Sequence, residues 1–178
     1  MTEQQPYRVI QNFGTFELRE YPEYLLAQVQ VRGDFITSGN KAFNPLLRYI
    51  TGNNTNRSQM AMTAPVLQTS IEPDHHLVSF VLPVGVKSGA APTPIDGNVH
   101  VVEVPRHLAV AHRFGGLWNY DRFLNEAQKL EDAVQAAINS KQLSGGLVGE
   151  PYFARYNGPF TPWFLRRNEA VIAFTQNQ

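Results

Sequence analysis

Five histidines are the side chains of this sequence that are best suited to hold a metal ion. His112 is the most interesting of them, because the period-2 pattern of its strand puts it on an apolar face with Leu108, Val110 and Phe114. A histidine in that position is either a core residue whose ring nitrogens are hydrogen-bonded or a ligand that faces a pocket. We therefore predict His112 as the candidate metal ligand, with the core role as the alternative.

Other side chains offer fewer arguments for ligation. His75 and His76 are adjacent in a polar turn, where both cannot easily face one site. Met60 and Met62 share one face of a predicted strand, where a methionine either ligates iron or fills core space. The sequence contains no cysteine, which excludes disulfides, iron–sulfur clusters and cysteine-type zinc sites.

An aromatic, proline-rich loop lies near the C-terminus and is followed by a run of charge. The loop, residues 157–167, reads NGPFTPWFLRR, and Asn168 and Glu169 begin the last predicted strand. The charged run is either an anion site or a clamp of ion pairs that ties this strand to the first hairpin, with Glu20 as a partner. We favour the clamp.

Signatures of the common enzyme classes and of nucleic-acid binders are missing. The sequence has no G-x-S-x-G, H-E-x-x-H, P-loop or dinucleotide-binding motif, so we expect a protein that is not an enzyme, although acid–base pairs formed only in space leave no motif. Fifteen basic and fifteen acidic residues cancel, and no Lys/Arg-rich run indicates a nucleic-acid partner. No stretch approaches the roughly 18 apolar residues that span a bilayer. We expect a cytoplasmic protein with no membrane partner.

The elements that position these residues follow an internal repeat. Two fourteen-residue stretches, Glu20–Gly33 and Glu103–Gly116, align without a gap at a constant offset of 83 residues. Each is a turn at Pro, a strand of alternating pattern and a break at Gly, followed by a helical segment and two more strands. This pattern indicates the duplication of one ββαββ unit.

The repeat predicts an α+β fold of two pseudo-symmetric halves in one domain, residues 1–178. The half-repeats cover about 16–82 and 98–174, and the Pro/Gly-rich segment 87–97 is the expected linker. In the first half, we expect a tight turn at Pro22–Glu23. In the second half, we expect Val99–Val104 and Leu108–Phe114 to form a hairpin.

Two helices complete the prediction. The first ends near Tyr49–Ile50, and either Ser38 or Asn44 caps its start. The second runs from Tyr120 to about Ser140 with Asn119 or Asp121 as its cap. Its apolar residues recur at helical spacing and predict a buried face that includes Phe123, Leu130 and Val134.

Four motifs of this sequence resemble the SOUL haem-binding protein family. They are FELREY with the following Pro turn, LLRYITGNN leading to MAMTAPV, VEVPR with AVAHRFGG, and YNGPFTPWFLRRNEAV. Together they extend over nearly the whole chain. The resemblance implies a distorted eight-stranded antiparallel β-barrel, built from two ββαββ halves and flanked by two helices.

The resemblance also implies a ligand and a site. Haem, the suspected cofactor, or another tetrapyrrole would lie on an apolar patch of the first helix and of the loop before the last strand. The matching positions in this sequence are Phe43, Leu47, Arg48, Phe160, Thr161, Pro162 and Trp163. Thr161 and Asn40 depart from the pattern, because vertebrate members have Lys and Arg there, which leaves Arg48 to contact a propionate.

Two other functions stay open. The first is an effector-type module that holds a non-haem small molecule in the groove between the halves, with weak hydrolytic activity as a variant, since ββαββ pairs also occur in such domains. The second is a protein-interaction module, which an exposed apolar patch at Phe160–Trp163 would indicate. We predict small-molecule binding, with haem as the first choice, in a monomer or weak oligomer.

Overall fold

A computed structural model describes residues 2–177, which form two helices, a short 3-10 turn and a series of strands. In chain order, these elements are β1 (Glu3–Gln4), β2 (Arg8–Asn12), β3 (Glu17–Tyr21), β4 (Tyr24–Arg32), α1 (Phe35–Ile50), β5 (Thr63–Ala64), β6 (Val66–Glu72), β7 (His75–Val81), β8 (Val99–Val104), β9 (His107–Phe114), α2 (Tyr120–Asn139), β10 (Gly145–Arg155), the 3-10 turn Trp163–Leu165 and β11 (Asn168–Gln176). The expected α+β class with two helices and antiparallel sheet structure is confirmed.

The chain divides into two compact units. The first unit contains residues 2–5 and 23–105, and its antiparallel sheet has the strand order β6-β7-β4-β8. The short strands β1 and β5 of this unit pair in parallel. Helix α1 packs on β4, and apolar residues of both elements share one core cluster with Val78 and Phe80 of β7.

The second unit contains residues 6–22 and 106–177. Its antiparallel sheet has the strand order β2-β3-β9-β11-β10, so β9 has a paired strand on each side, as β4 has in the first unit. Helix α2 packs on β9, β10 and β11. Its buried residues are Phe123, Ala127, Leu130, Val134 and Ala137, which confirms the predicted face.

The predicted hairpin of β8 and β9 is wrong. Strand β8 pairs with β4, whereas β9 pairs with β3 and β11. The tight turn at Pro22–Glu23 likewise joins β3 of the second unit to β4 of the first. Two-residue hairpins need residues with positive φ, usually Gly or Asn, which Pro22–Glu23 and Pro105–Arg106 lack. The compact units therefore do not coincide with the half-repeats 16–82 and 98–174.

The segment 87–97, expected as the linker between the halves, lies inside the first unit, and the unit boundary falls at Pro105 instead. Its backbone is tied to the end of α1. The Tyr49 hydroxyl donates to the Pro92 carbonyl over 2.8 Å, and the Thr55 amide donates to the Thr93 carbonyl over 2.9 Å. Pro and Gly here mark an ordered loop rather than a division of the fold.

Both helices begin at a polar cap. Asp34 caps α1 by accepting from the amides of Ile36 and Thr37, so the expectation of Ser38 or Asn44 is wrong. The helix continues through Pro45, because packing against the sheet outweighs the lost hydrogen bond. Asn119 caps α2 by accepting from the Arg122 amide, as expected. Within residues 2–177, no helix combines the length and apolar character needed to cross a lipid bilayer.

Candidate functional site

The outer side of α1 carries the three helical residues of the predicted site. The core face of the helix is formed by Ala42, Leu46 and Tyr49. Phe43 lies at the edge of that face with 37% of its surface exposed, and its ring meets Phe80 edge-on with 5.4 Å between centroids. Leu47 is half-buried against the core. These two side chains thus pack on the unit and still present apolar surface.

Arg48 follows on the exposed side of α1. Among the described residues its guanidinium makes no hydrogen bond or ion pair. Its backbone carbonyl accepts from the Asn53 amide over 2.9 Å, which fixes the end of the helix beneath the side chain. A free guanidinium beside apolar surface can bind the carboxylate of an amphipathic ligand.

The aromatic loop of the second unit carries the other four residues. Phe160 is 99% exposed, and Trp163 is also more than half exposed. Thr161 is half-buried, and Pro162 precedes the 3-10 turn and is exposed. The Trp163 ring meets Phe164 edge-on with 5.7 Å between centroids. These side chains form an apolar surface that the rest of the chain does not cover.

Arg166 holds this loop in shape. Its Nε donates to the Thr161 carbonyl and its Nη2 to the Pro159 carbonyl, both over 2.8 Å. The same guanidinium lies over the Trp118 ring, 4.4 Å from its centroid. Arg166 is therefore occupied by the loop backbone and serves as a brace rather than as an anion site.

His112 is bonded at both ring nitrogens. Nδ1 lies 2.7 Å from the Thr15 carbonyl oxygen and Nε2 lies 2.9 Å from a Glu126 carboxylate oxygen. Both partners only accept, so the arrangement suits a ring that donates from both nitrogens. Burial opposes ionisation of Glu126, but hydrogen bonds from His112 and Lys129 outweigh it and lower the pKa of Glu126. A metal would have to displace one of these bonds.

The other candidate ligands are dispersed. His76 is buried, its Nδ1 lies 3.0 Å from the Ser70 hydroxyl oxygen, and burial lowers the pKa of its ring. His107 stacks on Tyr21 with 5.5 Å between ring centroids. Within residues 2–177, no three His, Asp or Glu side chains come together in a geometry that would hold a metal ion.

The charged run near the C-terminus forms a clamp in the second unit. Glu169 is fully buried, and Arg19 of β3 donates to both of its carboxylate oxygens over 2.7 and 3.0 Å. Arg167 adds two bonds of 3.0 and 2.8 Å to one of those oxygens. The clamp between the last strand and β3 is confirmed, but the predicted partner Glu20 is wrong. Glu20 accepts from Arg8 and Arg106 instead.

The clamp borders a polar cavity of about 280 Å³. Burial opposes the charge on Glu169, but hydrogen bonds and charge from Arg19 and Arg167 hold the pKa of its carboxyl below the ordinary value. Burial raises the pKa of Tyr21 beside it. Arg19 was not predicted from the sequence. The only local signal is the alternation of residues in FELREY, which puts Arg19 on one face of the strand with other inward residues.

The chain was compared with known proteins. Its fold resembles the C-terminal domain of EcmrR, with a TM-score of 0.62 and 16% identity over 96% of this chain and 99% of that one. A hydrolase from Listeria innocua resembles it with a TM-score of 0.57 and 11% identity over 90% of this chain and 92% of the other. At these identities the likeness shows the fold alone. No curated protein matches the chain.

These features define an α+β protein of two compact units, each with antiparallel strands covered by one helix, and an exposed apolar loop in the second unit. The family model for the SOUL heme-binding protein matches residues 2–173, and the chain belongs to that family. The resemblance drawn from the four sequence motifs is thus confirmed.

Proposed function

We propose that this chain is a binding protein for haem or a related tetrapyrrole, and that the outer side of α1 and the aromatic loop are its binding surfaces. Membership of the SOUL heme-binding protein family supports the ligand. The carrying observation is that Phe160 and Trp163 are left exposed on a loop that is braced from within. A flat apolar macrocycle would cover such surface, and the free guanidinium of Arg48 suits a propionate.

The expected affinity follows from the area covered. Removing roughly 300 Å² of apolar surface from water contributes about 7 kcal/mol at 25 cal/mol per Å². The loss of translational freedom and the ordering of side chains offset part of this gain. A net affinity in the micromolar range is therefore expected without an iron ligand. Tighter binding would mean that a side chain such as His112 gives up its present hydrogen bonds and ligates the iron.

The test is a titration with haemin followed at the Soret band. Arg48→Glu should weaken binding tenfold or more, since attraction beside a carboxylate becomes repulsion. Trp163→Ala should weaken it through lost contact area and leave the fold intact. Arg57→Glu and Val84→Ala are the controls, because both residues are exposed and lie outside the proposed set.

The haemin titration also distinguishes haem binding from the effector-type alternative. If Arg48→Glu and Trp163→Ala bind haemin as tightly as the parent, these surfaces do not hold the ligand. A ligand that raises the melting temperature without moving the Soret band would favour the effector-type alternative. We further propose that the chain is not an enzyme. The closed eight-stranded barrel stays a prediction, which family membership supports. The cytoplasmic location also stays a prediction.

A further inference from the structure

Five large apolar side chains project from one end of the second unit, and we name them the apolar tip. They are Leu117, Phe160, Trp163, Phe164 and Leu165, each more than half exposed. Leu117 joins the loop because the neighbouring Gly116 amide donates to the Trp163 carbonyl over 3.2 Å. Phe160 is 99% exposed, so it lies at a convex summit rather than in a groove. Surface apolar groups concentrated in this way mark an interaction site.

Part of the tip's backbone is hydrogen-bonded within the protein. The carbonyls of Gly158 and Pro162 accept from the amides of Thr161 and Leu165 over 3.1 and 2.9 Å. Those of Pro159 and Thr161 accept from the side chain of Arg166. Pro159 and Pro162 have no amide hydrogen to satisfy. A loop enters an apolar medium more easily when its polar backbone groups find partners within the protein, and these four carbonyls meet that condition.

Basic side chains lie in and beside the tip, where Arg166 and Arg167 are bonded to the loop backbone and to Glu169, and the acidic Asp121 adjoins Arg122. Residues 156–167 contain no acidic side chain and two arginines. Arg122 of α2 extends its guanidinium over Gly116, where a Cβ would come within 2.7 Å of Nη1. Among the described residues, this guanidinium has no hydrogen-bond or ion-pair partner. A free cation at the base of an aromatic tip is complementary to anionic head groups.

We propose that the apolar tip inserts into the interfacial layer of a lipid bilayer. Trp and Phe with flanking Arg is the composition of interfacial anchors. A lipid layer accommodates a convex summit without a preformed pocket, whereas a protein partner would need a matching cavity. This inference goes beyond haem binding and revises the sequence-based expectation of no membrane partner. It concerns docking on a surface and requires no spanning segment.

Two of the tip residues make the proposal separable from the haem proposal. Phe164 and Leu165 lie outside the residue set assigned to haem, so Phe164→Ser with Leu165→Ser removes tip surface and leaves that set intact. Val84→Ser with Ile95→Ser is the matched control, because both residues are similarly exposed in the first unit. Circular dichroism of both double variants confirms that each is folded.

The experiment measures co-sedimentation of the haem-free protein with phosphatidylcholine vesicles, with and without phosphatidylserine. We expect the parent and the control to bind and the tip variant to bind at least tenfold more weakly. Phosphatidylserine should strengthen binding of the parent about fivefold, and Arg122→Glu should remove that gain. Brominated acyl chains should quench the fluorescence of Trp163 in the bound parent. The Trp163→Phe variant should bind the same vesicles without such quenching. Trp118 does not interfere, because it is partly buried and donates to Asn168 over 3.0 Å.

Three results would overturn the proposal. In the first, the parent fails to sediment with either kind of vesicle. In the second, the tip variant and the control lose binding equally, which would mean that no particular surface is involved. In the third, the parent forms dimers that the tip variant does not form, without binding vesicles, which would make the tip an interface between copies. Haemin binding by the Phe164/Leu165 variant is measured in parallel, so failure of either proposal is recognised separately.

Discussion

The two units share one arrangement of strands and helix but differ in the side chains that they bury. In each, a central strand is flanked by two antiparallel strands, ends at a glycine with positive φ, and leads to a helix that packs on it. The glycines are Gly33 with φ 135° and Gly116 with φ 107°. At both places the backbone turns from strand to helix in a conformation that residues with a Cβ rarely adopt. The framework therefore depends on backbone rules that both copies share.

The two copies differ in the residues that lie opposite each other on neighbouring strands. In the second unit, Arg19 of β3 lies opposite Ala109, and Glu169 of β11 lies opposite Arg113. At the offset of 83 residues, Ala109 corresponds to Leu26 and Arg113 to Gln30. Those residues lie opposite Val102 and Leu77 in the first unit. The buried Arg19–Glu169 pair thus stands where the other unit has two apolar side chains.

The strands of the first unit thus pair without an ion pair at these positions. A buried pair is costly to desolvate, and well-packed apolar residues often match or exceed its net contribution. Losing one partner is a different matter, because the remaining charge is buried without compensation. We infer that the Arg19–Glu169 pair fixes the register of β3 and β11 on β9, the strand between them. Removing one member of the pair should then lower the free energy of unfolding more than removing both.

Removing the charge of Glu169 should have the largest effect. Glu169→Gln leaves Arg19 buried beside a neutral amide, and we expect the free energy of unfolding to fall by about 3–5 kcal/mol. Arg19→Val with Glu169→Leu gives the second unit the apolar pair of the first and leaves Arg167 with its bond to the Tyr7 hydroxyl, so we expect it to recover part of that loss. Urea unfolding of the three proteins measures both values. A double variant as unstable as the single one would show that the charges are essential to this register.

The helices test whether the two cores are equivalent. Leu46 of α1 and Leu130 of α2 are both buried, so Leu46→Ala and Leu130→Ala should each cost about 2–5 kcal/mol. Helix α1 also contains Gly39 and Pro45, which weaken its intrinsic stability by about 1 and 3 kcal/mol, whereas α2 has neither residue. Hydrogen exchange should therefore show α1 opening locally in Leu46→Ala while α2 stays protected.

The control for the helix comparison is Leu124→Ala on the exposed side of α2, which should change stability by less than about 0.5 kcal/mol. A loss below that value for Leu130→Ala would contradict its place in the core.

Acid should weaken the second unit through the same clamp. The folded pKa of Glu169 is held below its ordinary value of 4.5 by Arg19 and Arg167, against the opposing effect of burial. The clamp therefore stabilises the protein above about pH 4.5, and this contribution is lost as the pH falls through the lower folded pKa. We therefore expect the free energy of unfolding to fall on acidification. Unfolding of the Arg19→Val/Glu169→Leu variant, followed from pH 6 to pH 3, should show a smaller slope.

What the sequence predicted and what it missed have separate physical causes. Helix α2 was predictable because Phe123, Leu130 and Val134 repeat at a local period, and the motifs around the aromatic loop indicated the family. The strand partners of β8 and β9 were not, since alternation assigns a face but no neighbour. Arg19 and Glu169 are 150 residues apart, and only the register of the folded sheet brings them together. The site on Arg48 and Trp163 stays a prediction.

His112 is the remaining difference between the units, and replacing it should have the smallest effect. It corresponds to Val29, which packs in the apolar core of the first unit, whereas His112 bonds to Thr15 and Glu126. His112→Val exchanges one exposed and one partly buried hydrogen bond for apolar contact, and we expect it to cost about 1 kcal/mol at neutral pH. The pKa of Glu126 should rise, because the bond from His112 lowers it. Urea unfolding and carboxylate titration by NMR measure the two effects. A stability gain with no change in the Glu126 titration would mean that His112 is kept for another purpose, and iron ligation would then be the first to examine by haemin titration.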